Sequence, residues 1–272
     1  MKPSGIEMKG DICMDILVCL KQTFDTEEKI TIENGRINEE EAEFVINPYD
    51  EYAVEEAIRL KEKFGGEVTV ITIGPERAEQ ALRTAMAMGA DKGVIVDIEE
   101  LEEQVDEHTI AQILAATIQE EDLDYDIILC GYMAVDDGSA QVGPRLAELL
   151  HIPHISTITK LHIDGDQVTV DKDVEGDLEV IESTLPILVT AQQGLNDPRY
   201  PSLPGIMKAK KKPLSRLEVD DLDLDEDEIA AKTETLEVFL PPKKQAGKVL
   251  QGELPKQVEE LVQLLRNEAK VI

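Results

Sequence analysis

The tightest constraint on this 272-residue sequence lies between Asp124 and Leu150, where DYDIILCGYMAVDDGSAQVGPRLAELL runs from strand to loop to helix. Tyr125–Cys130 is a short, Ile-rich apolar run, the pattern of a strand buried on both faces. Gly131 ends it. Small and acidic residues fill Ala134–Ala140, and a helix begins near Ser139–Gln141, because Pro144 fits a helix only in its first turn. In an open parallel sheet that order marks the place where a ligand sits, beyond the carboxyl ends of the strands. Free N–H groups at the helix start suit a phosphate, with Gly138, Ser139 and Gly143 letting a ligand come close. Neither GxxxxGK[ST] nor GxGxxG is present, so a phosphate site here would be of another kind. Asp136 and Asp137 would repel a phosphate aimed at them, which leaves ribose binding or helix capping as their roles. An ordinary strand-to-helix turn that binds nothing fits the same residues.

The segments before this stretch alternate in the same way. Asp15–Leu20 is an apolar strand followed by a polar segment to Glu28. Ile30–Ile37 carries Asn34-Gly35 between two short alternating runs, a hairpin signal. Asn47-Pro48-Tyr49-Asp50 opens a helix over Glu51–Lys63, with Val54, Ala57, Ile58 and Leu60 on its apolar side and Gly65-Gly66 at its end. A strand Val68–Ile73, a helix Ala78–Met88, a strand Gly93–Val96, an acidic loop to Glu107 and a helix Thr109–Gln119 follow. Strand–helix alternation predicts an α/β fold, a parallel sheet with helices on both faces. Asn47 reads as a turn residue or as a group that reaches a ligand at the same sheet edge.

Composition narrows the function. The 58 acidic against 27 basic residues give a net charge of −31, which argues against nucleic acid and anionic membranes as partners. Aromatic residues make up only 3% of the chain, too few for base-stacking platforms, so the core must be built from Ile, Leu, Val, Ala and Met. Cys13, Cys19 and Cys130 are odd in number, widely spaced and without CxxC, which predicts free thiols in a reducing compartment. Cys19 and Cys130 fall in predicted strands, where free Cys is a small buried hydrophobe. No apolar run approaches the roughly 20 residues of a membrane span. Met1–Cys13 lacks the features of a leader and reads as a disordered extension.

After Leu150 the texture changes. Thr157–Ile163 and Gln167–Asp173 flank Asp164-Gly165 as a second hairpin, and Leu178–Thr184 and Pro186–Ala191 continue in strand. His151, His154 and His162 lack metal-ligand spacing on one face. No GxSxG elbow, HExxH or paired-carboxylate arrangement stands out. In Gly194–Pro213 (GLNDPRYPSLPGIMKAKKKP) the prolines and glycines leave little room for a regular element before Ile206. Leu203, Ile206 and Met207 risk being left out of any core, beside a basic cluster at Lys208, Lys210, Lys211 and Lys212. A Pro-flanked apolar tip beside lysines suits docking onto another protein, although a solvated loop fits as well. Val219–Glu228 reads as a solvated acidic linker, Thr233–Leu240 as a short strand, and Gln257–Lys270 as an amphipathic helix with Val258, Leu261, Leu264 and Leu265 on one side.

From Met14 to its end the chain resembles the β subunit of electron transfer flavoprotein. The most specific part is Val174–Thr190 (VEGDLEVIESTLPILVT) running into LNDPRYPSLPGIMKAKKKP, similar to the family signature and its partner-recognition loop. The resemblance implies a Rossmann-like α/β domain without a P-loop over residues 14–213, with the loop at 194–213. It implies an acidic linker and C-terminal arm over 214–272 that wraps an α subunit. One FAD would lie at the interface, held mainly by the α subunit, with AMP bound structurally in this chain. Its contacts would be Cys19, Asn47, Pro48, Tyr49, Asp50, Ile73, Gly131, Tyr132, Met133, Ala134, Val135, Asp136, Asp137, Gly138, Ser139, Ala140, Gln141 and Val142. Phe24–Thr26 would lie near the flavin ring, with Thr26 where some members carry an aromatic. Leu203, Pro204, Ile206, Met207 and Lys208, Lys210, Lys211 and Lys212 would dock a dehydrogenase such as an acyl-CoA dehydrogenase of fatty acid β-oxidation. Electrons would pass on to a quinone oxidoreductase, in the cytoplasm, without catalytic residues in this chain. A bifurcating variant with a second FAD and NADH as donor is the family's alternative. An adenine-nucleotide sensor or hydrolase of the same fold would need a phosphate loop such as SGGxDS, which this chain lacks.

Overall fold

Strand β1 (Met14–Cys19) is an inner strand of a nine-stranded sheet, and its sequence, MDILVC, accounts for that place. Met14, Ile16, Leu17 and Val18 are all but inaccessible to solvent. Because successive side chains point to opposite faces of a strand, Ile16 and Val18 enter one core layer and Leu17 and Cys19 the other. In this computed structural model the described residues are 13–25, 27, 29–39, 42–101, 104–242 and 247–272. The expectations for residues 1–12 and for Thr26 lie outside them.

After β1 come β2 (Gln22–Phe24), the short strands β3 (Ile32–Glu33) and β4 (Arg36–Ile37), β5 (Phe44–Ile46) and helix α1 (Pro48–Phe64). Strand and helix then alternate through β6 (Gly66–Ile73), α2 (Glu79–Met88), β7 (Lys92–Asp97), α3 (Glu107–Glu120), β8 (Ile127–Gly131) and α4 (Val142–Leu149). The remainder holds β9 (His154–Asp164), β10 (Gln167–Val174), β11 (Asp177–Thr184) and β12 (Ile187–Ala191). Helix α5 (Leu203–Ala209), β13 (Leu214–Glu218), α6 (Glu226–Ile229) and α7 (Leu254–Leu264) complete it.

The sheet order is β11-β10-β9-β12-β8-β1-β6-β7-β13. Neighbours from β9 to β13 pair in parallel, and β10 runs antiparallel to β9 and β11. Helices α1 and α2 cover one face and α3 and α4 the other, the α/β architecture that the alternation predicts. From β1 the chain steps to β6 and β7, then α3 carries it back to β8 on the far side of β1. That reversal makes the β1–β8 boundary the switch point, where a crevice opens at the carboxyl ends of the strands.

Local turns follow from single residues. Asn34 and Gly35 both have positive φ (51° and 75°), as the two-residue β3–β4 hairpin requires. Gly66, at φ 101°, passes so close to Met14 that an added Cβ would overlap its carbonyl.

Elsewhere the structure departs from the sequence reading. Residues 219–228, expected as a solvated linker, belong to the folded body together with 214–218, which the linker and arm were expected to include. Strand β13 pairs with β7, and Leu222 is 6% exposed in a cluster with Val96 and Ile113. An edge strand needs few apolar residues. Leu214 and Leu217 each supply one face of the sheet, while exposed Arg216 and Glu218 make the segment read as linker. The compact unit that contains the sheet continues to Leu236, past the expected boundary at residue 213. A regular element does form before Ile206: helix α5 starts at Leu203, because the Ser202 hydroxyl accepts the Gly205 N–H (3.1 Å) and Pro204 sits in the tolerant first turn. No strand forms over 233–240, and Leu236, Phe239 and Leu240 are exposed.

The second compact unit comprises Thr31–Ile37 and Glu237–Ile272. It contains the β3–β4 hairpin and α7, which starts ahead of the expected Gln257 with Pro255 in its first turn and ends in a π-helical turn, Leu265–Ala269. Val258 and Leu261 remain 52% and 46% exposed on α7.

If 214–228 is structural, Leu222→Ala should cost about 2–4 kcal/mol in urea unfolding of the full chain. A change within a few tenths of a kcal/mol would return the segment to a solvated linker.

Candidate functional site

A cavity of about 520 Å³ opens at the carboxyl ends of β1, β6 and β8, within the usual range for a small-molecule site. Its floor is apolar, with Cys19, Ile71, Ile73, Leu114 and Cys130. Of the expected nucleotide contacts, Cys19, Asn47, Asp50, Ile73, Gly131, Tyr132, Met133, Ala134, Asp136, Asp137, Ser139, Ala140, Gln141 and Val142 line it. Pro48, Tyr49, Val135 and Gly138 do not. Tyr49 instead meets the Tyr132 ring edge-on, with centroids 4.4 Å apart.

Asn47 and Asp50, at the start of α1, hold the crevice together. One Asp50 carboxylate oxygen accepts the Lys21 N–H at 2.7 Å, just past β1, and the other accepts the Gly131 N–H at 2.9 Å, the last residue of β8. The Asn47 amide donates to the Met133 carbonyl (2.9 Å) and accepts the Val135 N–H (3.1 Å), fixing the loop after β8. Both side chains are buried. Burial raises the Asp50 carboxyl to about 7, against the opposing pull of the Lys21, Asn47 and Gly131 donors.

The acidic pair in the loop is neither a helix cap nor a bare negative charge. Lys21 reaches across the crevice, its Nζ 2.9 Å from both Asp136 and Asp137. Burial works against the Lys21 charge, but these two hydrogen bonds outweigh it and raise its pKa. Asp137 also accepts the Ser139 N–H at 2.9 Å.

Helix α4 begins without a side-chain cap or an acidic residue in its first turn, and Gln141 is occupied by Arg145 (2.7 Å). Pro144 has no N–H, the N–H groups of Val142 and Gly143 precede the first intrahelical bond, and Ala140–Gly143 line the cavity. Helix α3 differs: Asp106 accepts the His108 and Thr109 N–H groups at 3.0 Å, and its second oxygen holds Lys232 and Thr233. Those bonds pull Asp106 well below the usual carboxylate range despite burial. Gly143 lines the cavity and also serves packing, since an added Cβ would press on Thr190.

The sequence reading missed several cavity residues. Gln22 and Thr23, on β2, each carry a buried side-chain oxygen without a hydrogen-bond partner. Gln104, Asp106, Thr233 and Thr235 form another wall. Asp106-x-x-Thr109 ahead of an apolar run was a legible capping signal. Three-residue β2 is too short to show a period. Phe24 also lines the cavity, packed 4.9 Å from Phe44, over which Arg77 lies.

The second candidate surface is the tip carried by α5. Leu203 is 79% and Met207 73% exposed, and Pro204, Ile206, Lys208, Lys210 and Lys211 are exposed beside them. Lys212 points elsewhere: its Nζ donates to the Met86 and Ala90 carbonyls (2.9 and 2.5 Å), capping the end of α2. The tip is braced from behind. Arg199 forks onto Glu55 (2.8 and 3.0 Å) and also reaches Glu62, while Arg83 donates to the Ala209 carbonyl at 2.8 Å. Gly205 allows α5 to lie directly on Ala87 of α2.

The electron transfer flavoprotein domain model matches residues 34–222. The electron transfer flavoprotein subunit beta of Bacillus subtilis is 61% identical over 259 residues, covering 95% of this chain and 100% of that protein. That of Syntrophomonas wolfei is 42% identical (95% and 98% covered), and the mitochondrial subunit beta of Arabidopsis thaliana 38% (95% and 100%). This chain belongs to the electron transfer flavoprotein β-subunit family.

Electron transfer flavoprotein β subunits are electron-transfer proteins, and the family frame suits a cavity whose charged groups are already spent on holding it together. Among the described residues no three His, Cys, Asp or Glu side chains are grouped to hold a metal ion, and no helix is long and apolar enough to cross a membrane.

The raised Asp50 pKa fixes the sign of a pH dependence. The folded chain holds this proton more tightly than the unfolded one, so its stabilisation is complete below the ordinary aspartate value and is lost as pH rises toward 7. Asp50→Asn leaves one strand-end N–H without an acceptor and should cost about 1–3 kcal/mol at pH 5. The gap to wild type should narrow between pH 5 and 7.5 in urea titrations. A gap that widens would mean that the ionised form is the favoured one.

Proposed function

We propose that this chain pairs with an electron transfer flavoprotein α subunit, holds AMP in the switch-point cavity, and presents the α5 tip to flavoprotein dehydrogenases. The observation that carries this reading is the cavity itself: it combines an apolar floor, an uncapped helix start and unpartnered buried oxygens, without a reactive constellation. AMP offers a group for each. The apolar floor at Cys19, Ile71 and Ile73 suits the purine, and Gln22 and Thr23 supply acceptors or donors for polar edges. The N–H groups from Ala140 to Gly143 suit the phosphate, favoured by the positive end of α4. Lys21 neutralises much of the charge on Asp136 and Asp137 that would otherwise oppose a phosphate there.

A nucleotide held this way is structural, and FAD at the interface with the α subunit supplies the redox chemistry when bound. The contribution of this chain is to bind, brace and dock. Acyl-CoA dehydrogenases of fatty acid β-oxidation are the donors that the family membership favours, with a quinone-reducing enzyme as acceptor. Three free thiols agree with a reducing, cytoplasmic setting.

Co-expression with the α subunit should yield a yellow heterodimer that releases one FAD and one AMP on denaturation, quantified by chromatography. Two FAD and no AMP would replace this reading with the bifurcating variant, and the absence of any adenylate would remove the cavity's assignment. On the docking surface, Leu203 has about 2 kcal/mol of burial to give. Leu203→Ala should therefore weaken dehydrogenase docking about 30-fold with FAD content unchanged. Equal electron-transfer rates under subsaturating dehydrogenase would show that the tip does not dock.

A further inference from the structure

Two thiols meet on the floor of the cavity. Cys19 ends β1 and Cys130 lies next to last in β8, and the two are direct register partners in parallel pairing. Register partners on adjacent parallel strands stand side by side about 4.8 Å apart and point to the same face. Both side chains enter the same core layer, both line the cavity, and both are less than a tenth exposed. The neighbouring Cys19 thiol and burial together push the Cys130 thiol well up. The proposed role uses Cys19 only as part of the apolar floor and calls on the thiol chemistry of neither group.

Neutral, buried thiols are poor nucleophiles toward oxidants and one-point alkylating agents. What a rigid, adjacent pair does offer is bidentate capture of a soft, uncharged centre. We propose that Cys19 and Cys130 form a dithiol site for trivalent arsenicals, entered through the switch-point cavity. The step is a condensation. Two S–H and two As–OH bonds break, two As–S bonds form, and two waters leave with the thiol protons. Arsenic stays trivalent, so neither oxidant nor reductant is needed. Cys13 is exposed and has no thiol neighbour in sequence, so it can give only a single, labile As–S bond.

The probe is phenylarsine oxide on the full-length chain, read by intact mass. One phenylarsenic group per chain is expected, retained against excess 2-mercaptoethanol and stripped by 2,3-dimercaptopropanol. Alkylation with iodoacetamide in denaturant, followed by peptide mapping, should find Cys19 and Cys130 protected together and Cys13 labelled. That mapping needs no variant. Cys13→Ser should retain the adduct, while Cys19→Ser and Cys130→Ser should each lose it with unchanged circular dichroism. An unmodified wild-type chain, protection of Cys13 instead, or a monothiol-resistant adduct surviving either serine variant would overturn the proposal. A slower reaction with AMP present is a consequence that rests on the nucleotide reading. An adduct that forms equally fast with saturating AMP would displace AMP from this cavity while leaving the dithiol site standing.

Discussion

One buried carboxylate joins the two strand ends between which the cavity opens. Parallel strands lose their ladder partners where they end, and at a switch point the two chains diverge to opposite sides of the sheet. There the N–H groups of Lys21 and Gly131 turn to the Asp50 carboxylate for an acceptor. Asp50 supplies both acceptors from the first turn of α1, so the helix start, the β1 exit and the β8 exit are fixed by one group. Leaving either donor bare would cost about 1–3 kcal/mol, which is why a residue as costly to bury as aspartate is kept in place. Asn47 extends the same logic one turn earlier by closing both ends of the Met133–Val135 segment. The loop that borders the cavity is therefore positioned from α1, not by its own sequence.

The same accounting explains how a chain with net charge −31 keeps a phosphate-compatible site. The local field depends on which charges are already paired. Lys21 faces two aspartates, Asp106 is spent on the start of α3 and the 232–233 backbone, and burial holds Asp50 at about 7, so that it carries only part of its charge near neutral pH. The α4 start has no such partner. Two neighbouring helices thus meet the cavity with opposite arrangements, one N-terminus closed by a carboxylate and the other left open.

Much of this was legible before any coordinates. Long segments with one clear period, such as α1, β6 and β8, were found within a few residues, and Pro144 located the start of α4. The order of strand, loop and helix start in that stretch also pointed to the sheet edge at which the cavity opens. What failed did so for local reasons. The three residues of β2 are too few to show alternation. In β13 an edge strand spreads its leucines over two faces, so its charged residues dominate the pattern. Lys212 sat in a run of identical residues, and nothing in the run itself distinguishes the lysine that folds back onto the end of α2 from those left in solvent. For Asp136 and Asp137, the decisive partner, Lys21, lies more than a hundred residues away.

The tip and the cavity follow opposite rules, and the contrast bears on how the chain works. At the cavity, polar groups are consumed internally and the remaining capacity is small and specific. At the tip, internal bonds lie behind the surface: the Arg199 fork, the Arg83 contact and the Lys212 cap all hold the backbone and leave Leu203 and Met207 outward. A contact this small gives little affinity, so the cost of ordering it must be met beforehand. A pre-braced leucine beside exposed lysines meets that condition, because no loop has to freeze on encounter. On the docking reading proposed above, such a surface would favour brief, repeated association over permanent assembly.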